Sequence, residues 1–234
     1  FTNLITTHLP AIISLPKRTH NTNDFRFEAT VKKLDFIKRL VRLPITINSP
    51  LTAKGFINSS TNNADVSLSA PTLDVFGTKT TDTGIRIWTE ENAINSYVST
   101  KIKDKNGAVS VILDCKGADN TLYTQFSWDN MRANIFRGRL NGITLFTPNI
   151  TGSSDIQVNI PHSTFEIGDT IWNIRSHGIN YKNNSLTINH LAIENESQHL
   201  YVSGVASKSP SDTITAELKD INVSYILNLI NFHS

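Results

Sequence analysis

The stretch Ile156-Gln-Val-Asn-Ile160 carries an apolar side chain at every second position, with polar residues between. Phe165 and Ile167 repeat the spacing, as do Trp172 and Ile174, Ile179 and Tyr181, and Leu186 and Ile188. Leu191 and Ile193 follow, then Leu200 and Val202, and Ile214, Ala216 and Leu218 close the series. Successive side chains of a strand point to opposite faces, so a period of two encodes a sheet with one dry and one wet face. A helix would need apolar residues three and four apart, which these segments lack. Turn signals divide them: Gly168-Asp169, Lys182-Asn183-Asn184, and Lys208 to Asp212. The pattern reads as a meander of antiparallel hairpins.

The first half carries the same pattern less cleanly. Strands are expected near Phe25–Val31, Leu51–Ile57, Asp65–Ala70, Leu73–Phe76, Ile85–Thr89, Asn95–Ile102, Ala108–Leu113, Leu122–Trp128 and Ile135–Leu140. Breakers between them include Pro50, Thr61-Asn62-Asn63, Asp82-Thr83-Gly84, Lys105-Asn106-Gly107 and Gly117-Ala118-Asp119-Asn120. Asn106-Gly107 is a two-residue hairpin signal. The polar loop Pro148–Ser154 divides the chain into an expected first unit, 1–150, and a second, 151–234.

Two segments turn toward helix. Leu34, Ile37, Leu40 and Val41 are spaced three and four apart, Asp35 sits where a carboxylate favours a helix start, and Pro44 ends the run. Ile221, Ile226, Leu227 and Ile230 do the same, with Asn222 or Ser224 as cap. Short amphipathic helices are therefore expected near 34–42 and 222–231. The lead-ins also match: Ala29-Thr-Val-Lys-Lys-Leu-Asp-Phe36 aligns with Ala216-Glu-Leu-Lys-Asp-Ile-Asn-Val223, which suggests a repeat of long period.

Composition narrows the function classes. The chain has 234 residues and a net charge of +2, and its Lys and Arg residues are scattered. Nucleic acid is not an expected partner, because phosphate binding needs a concentrated basic patch. One cysteine, Cys115, excludes an internal disulfide framework and reads as a packed thiol. No stretch reaches the ~20 apolar residues of a membrane-spanning helix. The run from Ile221 to Phe232 is too short and carries Asn222, Asn228 and Asn231. No signal peptide is visible, and the start at Phe1 suggests an excerpt or processed form. Abundant Asn, Thr and Ser with few good helix formers fit a β protein with polar outer faces.

No catalytic constellation stands out. Glu90-Glu91 reads as a turn or a splayed pair, and Glu194 and Glu196 as a solvated strand face, without the aromatic platforms of a glycosidase. His8, His20, His162, His177, His190, His199 and His233 are dispersed without metal-ligand spacing, although His190 and His199 could meet by strand pairing. Nucleophile-elbow, phosphate-loop and dinucleotide motifs are absent. Ser203-Gly204, inside a strand, marks a bulge or a close backbone approach. No enzyme activity, cofactor or metal is expected.

The text from Ile156 to Trp172, then Gly178-Ile-Asn-Tyr-Lys-Asn-Asn-Ser-Leu-Thr-Ile188, Leu200-Tyr-Val-Ser-Gly-Val-Ala-Ser207 and Leu218–Leu229 resembles the TamB-type proteins of Bacteroidetes, themselves more loosely related to the AsmA group. Lys33-Leu-Asp-Phe-Ile-Lys-Arg-Leu40 with Leu43-Pro-Ile45 and Gly55 has the same character. The resemblance implies an extended, curled antiparallel β-sheet, a taco-like β-groove, in a periplasmic protein anchored in the inner membrane. It implies a greasy channel for phospholipid acyl chains on the way to the outer membrane, or support of protein assembly there with an outer-membrane barrel partner. On it, the groove lining is Ile156, Val158, Ile160, Phe165, Ile167, Trp172, Ile174, Ile179, Tyr181, Leu186, Ile188, Leu191, Ile193, Leu200 and Val202. No catalytic residue carries over. The competing reading is a surface adhesin or passenger-type β-solenoid, which requires a fixed short period that this sequence does not show. A β-helix or sandwich enzyme would cluster acids with aromatics, and Trp88, Trp128 and Trp172 do not visibly do so.

Overall fold

The computed structural model describes residues 2–12, 24–32, 45–47, 49–104, 107–148 and 154–221. Both expected helices, Asn106 and the interior of the loop after Pro148 lie outside these residues. The described residues form one short helix, α1 (Thr2–His8), and a single 16-stranded sheet whose pairings are all antiparallel.

The strands are β1 (Asp24–Val31), β2 (Ile45–Ile47), β3 (Leu51–Asn58), β4 (Asn63–Val75), β5 (Thr78–Glu90) and β6 (Ala93–Asp104). Next come β7 (Gly107–Ala118), β8 (Thr121–Asp129), β9 (Phe136–Pro148), β10 (Ser154–Asn159) and β11 (Ser163–Ile167). The series closes with β12 (Thr170–Ser176), β13 (Ile179–Lys182), β14 (Ser185–Glu194), β15 (His199–Ala206) and β16 (Ile214–Lys219).

The topology is simpler than sixteen strands imply. β10 and β11 lie end to end along β9, against Ile143–Pro148 and Phe136–Arg139 respectively. β12 and β13 lie end to end along the next line, against β11 and β10, and β14 covers both. β2 and β3 likewise share one side of β4. The sheet is thus a plain meander in which each line pairs with its neighbours in chain order. It also runs unbroken from β9 into β10, so the two expected units belong to one sheet.

Hairpin chemistry explains the tight connections. Glu91-Asn92, Asp119-Asn120 and Asn183-Asn184 are two-residue turns in which both residues have positive φ. That backbone matches the twist of the flanking strands, and Asn and Asp tolerate it best.

Several expected breaks are bulges or continuous strand. Pro71 sits inside β4, and Asp82 and Thr83 form a bulge in β5 opposite β6, with Asp82 at φ 54°. Gly117 and Ala118 are paired within β7, so only Asp119-Asn120 turns. At Pro50 and Pro161 the line is interrupted and a serine fills the gap. The Thr72 amide donates to Ser49 Oγ at 2.9 Å, and the Asn141 amide to Ser163 Oγ at 2.8 Å. Ser163 Oγ in turn donates to the Pro161 carbonyl. A proline removes a ladder donor, and the hydroxyl supplies a partner for the strand opposite.

Candidate functional site

Directly opposed residues of an antiparallel pair share a face, so the register assigns every side chain. One row crosses the sheet from β5 to β16: Thr89, Ile94, Gly117, Leu122, Thr144, Val158, Ile179, Ile188, Gly204 and Ile214. A second runs from β1 to β9: Ala29, Ala53, Leu68, Ile85, Val98, Leu113, Phe126 and Leu140. Phe126 and Leu122 are four apart on one strand, so both rows lie on the same face.

The residues expected to line a groove fall on this face. Ile156 opposes Tyr181, which opposes Leu186. Phe165 opposes Trp172, and their rings stack at 5.8 Å between centroids. Ile174 opposes Ile193, then Leu200, then Leu218. Leu191 opposes Val202, and Ile167 opposes Phe136. Ile160 lies just past β10, in phase with Val158, and its carbonyl accepts the Ser176 amide. The breaks at Pro161 and Gly178 and the bulge at Asn189-His190 each add one residue, which keeps the two ends of each line in phase.

The lining extends into the first half, beyond the residues expected from sequence. Trp128 lies 5.6 Å from Phe126, 5.7 Å from Phe136 and 6.5 Å from Phe165, so an aromatic band joins the two halves. These residues obey the same alternation in the sequence, and only their weaker flanking turns hide them. Cys115 sits on this face between Ser96 and Thr124, partly buried, and burial pushes its thiol pKa up.

Very little covers this face among the described residues. No large side chain is completely buried, and Trp172 and Leu73 are the bulkiest of the sheet's buried apolar residues. Phe25, Phe126, Tyr181, Ile214 and Leu218 remain exposed. The helix α1 and the turn after it close one end. Leu9 packs against Gly117 and Ile94, and His8 Nδ1 donates to the Asn92 carbonyl at 2.8 Å. The Ala11 amide donates to Asn120 Oδ1, and Ser154 Oγ bonds the Ala11 carbonyl.

The opposite face carries the ion pairs, with Tyr97, Tyr123, Leu145 and Ile171 exposed among its polar side chains. Arg86–Asp65, Arg137–Glu166, Arg175–Glu194 and Lys182–Asp155 join neighbouring strands there at 2.5 to 3.0 Å. The hydrogen bond from Arg86 holds the Asp65 carboxyl below its usual pKa. Tyr201 donates to Glu194 at 2.8 Å, which raises the phenol pKa. His190 and His199 meet through Tyr201, with centroids 5.0 and 4.1 Å from its ring, and His177 extends the stack. An open recess of about 430 Å³ lies on this polar side, lined by Ser127, Arg137, Arg139, Thr164 and Glu166.

Glu194 lies in β14 while Glu196 falls in the turn beyond it, so the two do not share a strand face. No cluster of three His, Cys, Asp or Glu there could hold a metal ion, and no helix there is long and apolar enough to cross a membrane. No family model, curated protein or solved structure matches this chain.

Proposed function

We propose that this chain is a non-catalytic segment of a periplasmic envelope protein of the TamB type, and that its apolar sheet face holds phospholipid acyl chains. The observation that carries the reading is the lining itself: rows rich in apolar side chains together cover one face of the sheet from β1 to β16, with only α1 and the turn after it laid against them among the described residues. Soluble monomers seldom expose an apolar patch above a few hundred Å². Acyl chains suit such a strip, because each buried methylene contributes about 0.8 kcal/mol and demands no hydrogen bond. The ion pairs on the reverse face fit contact with water. Carriage of lipid toward the outer membrane, or support of protein assembly there, is the role the sequence resemblance adds.

Native mass spectrometry of protein purified from bacterial membranes tests the binding, and a chain that arrives free of phospholipid argues against it. Val158 and Ile188 flank Ile179 in the longest row. Val158→Asp or Ile188→Asp should abolish crosslinking to a photoreactive phospholipid while the far-ultraviolet spectrum stays that of a folded sheet. Undiminished crosslinking in a folded variant would reject this face.

A further inference from the structure

Among the described residues the sheet ends in two open ladders. There β1 pairs only with β3, and β16 only with β15. Edge strands usually carry a device against further pairing, such as a proline, a bulge or a charge pointing to the apolar side. β1 has none of these. Its register with β3 is unbroken from Asp24 to Val31, and its apolar-side positions are Phe25, Phe27, Ala29 and Val31. Phe25 is 47% exposed.

The strand is also self-complementary. A second β1, turned about a two-fold axis normal to the sheet and level with Phe27, midway between the two strands, runs antiparallel and keeps its apolar side on the same face. Phe27 then opposes Phe27, Phe25 opposes Ala29, and Arg26 opposes Glu28 twice. Arg26 lies over the Phe56 ring at 5.6 Å, and neither it nor Glu28 has an ion-pair partner among the described residues. β16 offers less: centred on Ala216, its Glu217 would face Thr215.

We propose that two copies of this chain join edge to edge through β1, antiparallel about Phe27, so that the apolar lining crosses both. The contact is isologous, and it sets opposite charges against each other on one face and apolar side chains on the other. It does not depend on what the lining binds. A single strand edge buries little area, so the dimer belongs to the weak, concentration-dependent class.

Sedimentation velocity across the micromolar range tests it, with site-directed crosslinking. Arg26→Glu should raise the dissociation constant about tenfold by placing like charges opposite each other at two symmetric positions. The exchange Arg26→Glu with Glu28→Arg should restore the dimer. In a Cys115→Ser background, Phe27→Cys should oxidise to a covalent dimer and Phe25→Cys should not. A monomer throughout, a dimer indifferent to charge reversal, or equal crosslinking through Phe25→Cys overturns the proposal.

Discussion

Single positions carry much of the sheet's geometry. Gly204 has φ 127°, and a Cβ there would stand 2.2 Å from the Thr213 carbonyl oxygen. The backbone of β16 therefore approaches β15 only because position 204 lacks a side chain. Gly204→Ala should destabilise the chain by about 2 kcal/mol, the scale of a residue forced into a disfavoured conformation. Urea unfolding checks this, and an unchanged midpoint would mean that the β15–β16 hairpin contributes nothing to global stability. The sequence already marks this glycine, because it interrupts an otherwise alternating strand. It does not mark Thr83, which pairs with Thr100 at 2.8 Å inside the β5 bulge; polar residues that satisfy one another read as a loop until the register is known.

Elements owe their continuity to side chains that repair the ladder. Ser163 is 2% exposed, accepts from the Asn141 amide and donates to the Pro161 carbonyl. Ser163→Ala leaves the part-buried Asn141 amide without its acceptor, a loss of about 1 kcal/mol. Faster hydrogen exchange at Asn141, measured with the unfolding midpoint, is the expected signature, and protection equal to wild type would assign the repair to another group. The alternation of apolar residues made most strands legible, together with Asn183-Asn184 as a hairpin. It misread Pro71 and Asp82 as strand ends, because a proline and a polar bulge look like punctuation when the neighbouring strand is unseen. The helix α1, Thr-Asn-Leu-Ile-Thr-Thr-His, was not legible at all. Its β-branched residues are poor helix formers, and tertiary contacts through His8, Leu9 and Ala11 hold it.

Across the whole molecule the two faces differ enough to be told apart optically. Trp128 and Trp172 belong to the apolar face, whereas Trp88 lies on the polar face with its Nε1 donating to Glu90 and Arg86 over its ring. Phospholipid brominated in its acyl chains should quench the emission of Trp128 and Trp172 and spare that of Trp88. Single Trp→Phe variants separate the contributions. Quenching confined to Trp88 would place the ligand on the wrong side of the sheet. Which side chains share the face was readable from sequence in the second half, residue by residue. That they form one uninterrupted surface was not, because only the pairing of β9 with β10 and β11 joins the halves.

Sheet order that follows chain order has a consequence for synthesis. As the polypeptide leaves the ribosome, each new line of the sheet finds its docking edge in the line made just before it, and only short segments such as β2 wait for a partner a few residues further on. Growth by such accretion keeps a single advancing rim at any moment, and lengthening the gene by further hairpins would lengthen the surface without redesigning what came earlier.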